Sequence, residues 1–152
     1  MIRWATAADA DLLGHVFFRA VREGPSPYTE AERAAWMPHV PEAVSWAARL
    51  AEKSCILKET ESGPVGFMTI ESGGYIDFAY ILPDYRGRGV FRALYLPVEE
   101  HARASGENRL HTHASLMAQP AFHAVGFRVV QHETAERAGQ FLRRAEMEKS
   151  LI

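Results

Sequence analysis

Tyr80-Ile81-Leu82-Pro83-Asp84-Tyr85-Arg86-Gly87-Arg88-Gly89-Val90-Phe91-Arg92-Ala93-Leu94 is the stretch from which the rest of the chain can be placed. Alternating apolar residues run into a proline, a glycine-rich turn follows, and helical spacing begins at once. The first amides of a helix have no intrahelical acceptor, and they point outward with the positive end of the helix dipole. A strand, turn and helix joined this way make an anion site. Gly87 and Gly89 remove the Cβ atoms that would hold a pyrophosphate away from those amides. Arg86, Arg88 and Arg92 add three positive charges within seven residues. The plainer reading is a tight turn and nothing more. Two other phosphate loops are excluded. Gly-x-x-x-x-Gly-Lys-Ser/Thr is absent, and position 92 is Arg where a dinucleotide fingerprint needs its third glycine.

Upstream, Ile2 to Ala5 reads as a short strand. Thr6-Ala7-Ala8-Asp9 forms a capping box for a helix with the stripe Leu12, Leu13, Val16, Phe17, Ala20 and Val21. Thr29 to Glu32 opens a second helix that runs through Trp36. Pro41 starts a third, with Ala43, Trp46, Ala47 and Leu50 on one face. Ser54 to Lys58 and Pro64 to Glu71 read as strands, Gly73-Gly74 as a two-residue hairpin turn, and Tyr75 to Leu82 as one strand. In that strand Tyr75, Asp77, Ala79 and Ile81 share one side. Downstream come a helix from Arg88 to about Ala104 that Pro97 should kink or locally loosen, a strand Arg109 to His113 and a short helix Met117 to Val125. Strands Phe127 to Glu136 and Gln140 to Lys149 then close the chain around Gly139. This order predicts a mixed α/β (α+β) fold on one sheet, with residues 1–152 as a single domain.

Composition narrows the function. The 152 residues are 47% hydrophobic and 24% charged, with a net charge of −2, ordinary values for a globular domain that buries a core. A chain this close to neutral lacks the basic face that a nucleic-acid backbone requires. No apolar run reaches the ~20 residues of a membrane span, and Met1-Ile2-Arg3-Trp4 lacks a signal-peptide layout. Cys55 stands alone, which excludes a disulfide framework and a cysteine metal cluster. These bounds predict a soluble, cytoplasmic protein with neither nucleic-acid nor membrane partners.

With the elements placed, Arg86-Gly87-Arg88-Gly89-Val90-Phe91 resembles the Arg/Gln-x-x-Gly-x-Gly/Ala acyl-CoA signature of the GNAT superfamily of N-acyltransferases. Ser115, Ala118, Phe122 and Gly126-Phe127 are similar to the family's Asn/Ser, Ala, Tyr, Gly-Phe block, and the element order agrees from Ile2 to Leu151. The resemblance implies the GNAT fold, a mostly antiparallel central sheet of about seven strands splayed at its centre and flanked by helices. It implies acetyl-CoA as co-substrate, with no metal. The pantetheine would lie along Ala79, Tyr80, Ile81 and Leu82, and the pyrophosphate on the amides of Arg86, Gly87, Arg88, Gly89, Val90 and Phe91. An amide near Ile81 would stabilise the developing oxyanion. It also implies that domains of this kind often pair as homodimers. The chain departs from the pattern twice. Phe91 replaces the second small residue of the signature, and Phe122 stands where the family usually has a tyrosine that protonates the departing thiolate. His123 is adjacent, but a helical neighbour points about 100° away.

Attack by an amine on a thioester requires the neutral amine, hence a base. Asp77, a carboxylate in an apolar strand, is the foremost candidate as base or amine anchor, against a plain salt bridge. His111 and His113 share a face of the next strand and read as half-buried sheet residues, as pocket groups or as a pair that could help a base. A metal site there lacks matching Asp, Glu or Cys spacing. Ser115 is placed to hydrogen-bond pantetheine or a base water. Glu133 and Glu71 are lesser candidates for the base and read first as solvated charge. Tyr28 and Trp36 supply aromatic surface for a substrate pocket, while Trp46 belongs to a core stripe. The expected activity is N-acetylation of a primary amine on a small-molecule or amino-acid-like acceptor. The alternatives are a non-catalytic acyl-CoA-binding module in which Phe122 marks lost chemistry, and a protein (lysine or N-terminal) acetyltransferase. The latter finds no concentrated acidic run to receive a basic tail.

Overall fold

The computed structural model describes residues 1–152. In chain order the elements are β1 (Ile2–Trp4), α1 (Ala10–Arg22), α2 (Glu30–Trp36), α3 (Ala43–Ala51), β2 (Ser54–Thr60), β3 (Gly63–Ile70), β4 (Tyr75–Ile76) and β5 (Ala79–Ile81). There follow α4 (Val90–Ala104), β6 (Arg109–Ser115), α5 (Gln119–Ala124), β7 (Arg128–Arg137) and β8 (Gln140–Ser150). The strands form two four-stranded sheets, ordered β1-β2-β3-β5 and β4-β6-β8-β7, and only the β4–β6 pairing is parallel.

The single strand read from Tyr75 to Leu82 is therefore two. Tyr75 and Ile76 pair with His111 and Thr112 of β6, while Ala79, Tyr80 and Ile81 pair with Met68, Phe67 and Gly66 of β3. The chain changes sheets between them, and β5 and β6 diverge into a V. Alternation also breaks there. Ile76 is buried with α4 and α5, but Phe78 is buried with α1 and α3. Changing partners absorbs residues outside either ladder, as a bulge does, and the side-chain phase inverts across Asp77. Gly74 brings β4 alongside β6. Its φ is +77°, a Cβ there would lie 2.1 Å from the Arg109 carbonyl oxygen, and its own carbonyl accepts from the His111 amide at 2.9 Å.

A second irregularity lies in β7. Val129 faces Met147 of β8, but Gln131 faces Glu146 and Glu133 faces Arg144, so Val130 is an extra, bulged residue. Past it, the odd-numbered residues of β7 share a face with the even-numbered residues of β8.

Two apolar layers hold the sheets. One joins Leu94, Tyr95 and Val98 of α4 to Leu110, Phe122, Phe127 and Met147. The other joins Leu13, Val16 and Phe17 of α1 to Trp46, Phe67 and Phe78. Deleting one such aromatic ring costs about 3–5 kcal/mol. Helix ends follow the expected caps with one shift. Thr29 and Glu32 make a reciprocal capping box, whereas α3 is capped by Glu42, whose carboxylate accepts from Val44 and Ser45, leaving Pro41 outside the helix. α4 runs unbroken through Pro97. A half-buried polar knot locks α4 to β8. Tyr95 Oη and Lys149 Nζ each donate to Glu99 at 2.6 Å, and Lys149 also donates to the Val125 carbonyl at 2.7 Å.

Candidate active site

The mouth of the V opens beside the glycine turn. Leu82 N donates to Val65 O and Thr69 N donates to Phe78 O, so the even-numbered residues of this run spend their backbone groups on β3. In an antiparallel ladder the intervening residues face away. Ala79 and Ile81 therefore turn their amides into the V. Of the backbone expected to line a pantetheine, Leu82 and Tyr80 are committed to β3, and only Ala79 and Ile81 are free to serve.

The turn itself differs from expectation at its first residue. The Arg86 amide donates to Pro83 O at 3.2 Å. Its side chain folds inward, with Nε on the Ile81 carbonyl (3.1 Å) and Nη2 on the Ala20 carbonyl (2.7 Å). Burial lowers the tendency of this guanidinium to hold its proton, with Arg33 adding to the effect. Arg86 and Arg33, which donates to the Val21 carbonyl at 2.7 Å, satisfy the end of α1, so Arg86 braces the loop through these two donors while lining the cleft beside it. The amides of Gly87 through Arg92, by contrast, have no acceptor in the chain. Gly87 and Gly89 adopt φ of +72° and +79°, where side chains are strained, and open space lies above both. Arg88 and Arg92 are exposed and make no ion pair within the chain. These features fit the phosphates of a coenzyme.

From the turn a cleft of about 400 Å³ runs between β5 and α5, past Val90, Phe91, Ala118 and Ala121, to Ser115. Phe122 does not line it. Its ring is 1% exposed and packs edge-on against Phe91 (centroids 5.0 Å apart) and against Phe127 (4.9 Å). The two departures from the family signature are thus one aromatic contact, and the tyrosine position has become core.

A second cavity of about 380 Å³ opens on the other side of the V, under α1, α2 and the β7–β8 hairpin. The two cavities share Tyr28, Trp36, Tyr80 and Ser115. Tyr28 is buried, its Oη donates to the Arg143 carbonyl at 2.5 Å and accepts from the Leu116 amide at 2.8 Å, and its ring meets Trp36 edge-on. It straps the loop before α2 to the ends of β6 and β8. Ser115 Oγ accepts from the Ala118 amide at 3.1 Å, which leaves its hydroxyl proton free for the junction.

Asp77 reaches this second cavity, away from the side of Ala79 and Ile81, because of the phase change described above. Its carboxylate lies 3.6 Å from Arg49 Nη2 and 3.5 Å from Lys53 Nζ, and the buried Lys53 is also held by Glu71 at 3.0 Å. Asp77 is engaged by two cations. His111 and His113 do share a face, flanking Tyr75, but only His113 lines the cavity. His111 lies against the Tyr75 ring, and burial lowers its basicity, with Arg109 reinforcing this. Glu133, a lesser candidate for the base that reads from the sequence first as solvated charge, is paired within the chain. It contacts His113 Nδ1 and accepts from Arg144 Nε at 2.9 Å. Cys55 is buried outside both cavities, and burial pushes its thiol up to about 12. No group of His, Cys, Asp and Glu could hold a metal ion, and no helix is long and apolar enough to cross a membrane.

Comparison with known proteins agrees with this architecture. The profile of the acetyltransferase (GNAT) domain matches residues 25–151. The chain is similar to the uncharacterized N-acetyltransferase YafP of Escherichia coli (strain K12), 30% identical over 139 residues, 91% of this chain and 87% of that one. A crystal structure of a GCN5-related N-acetyltransferase from Rhodopseudomonas palustris superposes with a TM-score of 0.91 at 29% identity, covering 99% of this chain and 95% of that one. The fold also matches a GNAT superfamily phosphinothricin acetyltransferase from Sinorhizobium meliloti, solved in complex with AcCoA. There the TM-score is 0.75 at 20% identity, over 99% of this chain and 88% of that one.

Proposed function

Since the chain belongs to the GNAT family and is an acyl-CoA-dependent acetyltransferase, we propose that its acceptor is the primary amine of a small molecule, acetylated directly in a ternary complex. The observation that carries this reading is the pair of cavities meeting at Tyr28, Trp36, Tyr80 and Ser115. About 380 Å³ is the volume of a small-molecule site, and Tyr28 ties the loop before α2 to β6 and β8 beside it. Direct transfer fits the position of Cys55, which is buried away from both cavities and cannot relay the acyl group.

Acetyl-CoA, when bound, supplies the activated thioester carbonyl. The amides of Gly87 to Arg92 would hold its phosphates, with Arg88 and Arg92 adding charge, and the amides of Ala79 and Ile81 would hold its arm. The Ile81 amide is the donor available to a developing oxyanion, and the Ser115 hydroxyl is the free donor at the junction. Phe122 donates no proton. The family tyrosine's task falls to Ser115 or to solvent, which is chemically undemanding because an alkyl thiol ionises near ~8.5.

Thiol release measured with a reactive dye, across small amines, amino acids and a lysine peptide, tests this alongside calorimetric binding of acetyl-CoA. Release is expected with small primary amines. Release with the lysine peptide alone, or tight acetyl-CoA binding with no release, would overturn the acceptor class.

A further inference from the structure

Within the proposed small-amine reading, we infer that His113 is the general base of the transfer, with Glu133 as its positioning residue. The arrangement is three-membered. Arg144 Nε donates to Glu133 Oε1 at 2.9 Å, and the same oxygen meets His113 Nδ1 at 2.5 Å. The carboxylate fixes the imidazole with its proton on Nδ1, which leaves the Nε2 lone pair free, and Nε2 makes no hydrogen bond in the chain. His113 sits two residues before Ser115 on the same face of β6, and it lines the cavity that adjoins the acyl junction. Burial alone would raise the Glu133 carboxyl, but the hydrogen bond from His113 and the guanidinium of Arg144 outweigh it and hold it below its usual range.

The groups facing His113 support this assignment. Arg144 and Glu146 approach from β8, Glu133 from β7, Tyr75 and Asp77 from the β4–β5 run, and His111 shares its strand. Farther out, His39, Arg49 and Arg137 line the same cavity. Asp77 lies at ion-pair distance from Arg49 and Lys53, whereas His113 Nε2 carries a lone pair with no partner in the chain. The step balances without a further reagent. The acceptor ammonium gives a proton to Nε2, and its nitrogen lone pair forms the C–N bond. The C–S bond breaks with its electron pair on sulfur, the second proton of the amine passes to solvent, the sulfur takes one from Ser115 or solvent, and Nε2 returns its proton to solvent to restore the base.

Two amines separate a base from a structural residue: benzylamine, an ammonium ion at neutral pH, and 2,2,2-trifluoroethylamine, already a free amine there. His113→Gln is expected to lower kcat/KM for benzylamine by about 100-fold, the lower range for general-base catalysis, and far less for trifluoroethylamine, with calorimetric acetyl-CoA affinity unchanged. Glu133→Gln should lower kcat/KM for benzylamine more than for trifluoroethylamine at unchanged acetyl-CoA affinity, with Glu133→Asp restoring part of the loss. Equal losses for both amines in His113→Gln or in Glu133→Gln would overturn the assignment while leaving the acceptor class standing. A wild-type enzyme that binds acetyl-CoA but acetylates neither amine would remove the small-amine reading, and the base with it.

Discussion

The two sides of the V are made of different material. The β5 side and its turn are built from backbone: the amides of Ala79, Ile81 and Gly87 to Arg92, made available by two glycines and braced by Arg86. The β6 side is built from side chains, with His113, Glu133 and Arg144 drawn from three strands and Tyr28 strapped across them. Backbone amides bind whatever phosphate carrier arrives, with little regard for side-chain identity. Side chains select. A transferase that uses one donor for many acceptors needs one side that holds still and one that can vary.

The contrast can be tested by substitution. Phe122→Ala should have the largest effect, about 3–5 kcal/mol of stability, because it removes the ring against which Phe91 supports the glycine-turn side. Denaturant unfolding with and without acetyl-CoA reads it. Next, Gly89→Val should weaken acetyl-CoA binding on the order of 100-fold by straining a φ of +79° and misplacing the turn amides. Unchanged calorimetric affinity would mean that the backbone does not hold the phosphates. Arg92→Glu should cost about 10-fold in the same measurement at low salt, with the deficit shrinking as ionic strength rises. Asp77→Asn should change kcat/KM by less than about 5-fold, the scale of an ion pair open to solvent. A drop of several orders at constant acetyl-CoA affinity would transfer the role of base from His113 to Asp77.

The smallest expected effect concerns acid behaviour. Burial would raise Glu99, but Lys149, Tyr95 and Arg103 bring it from 4.5 to about 2. Because its folded value is depressed, its contribution is complete above 4.5 and is lost as pH falls toward 2. Glu99→Gln should therefore flatten the loss of stability over that window, read by urea unfolding at stepped pH.

The same division explains what could be read from the sequence. The glycine turn was legible because its chemistry is contiguous: Pro83, Gly87 and Gly89 state the conformation, and free amides follow from it. Arg86 misled because the nearness of a charge to a loop does not say which way the side chain folds, and the α1 carbonyls that claim it lie 66 residues away. Strict alternation placed Asp77 beside Ala79, and nothing local marks the change of sheets that turns it over. His113 and Glu133 are 20 residues apart and meet only through the register of β6, β8 and β7. Phe122 was placed correctly in the chain, but its burial depended on Phe91 one helix away.

That register rests on the bulge at Val130. Because one residue is absorbed there, β7 offers Gln131, Glu133, Ala135 and Arg137 to the acceptor side. If the bulge were ironed out, the frame would slip, and Val130, His132, Thr134 and Glu136 would stand in their place. The hairpin thus holds two alternative texts in one stretch of chain. A single-codon insertion or deletion can exchange one for the other without altering a residue that touches the coenzyme, a short evolutionary route to a new acceptor.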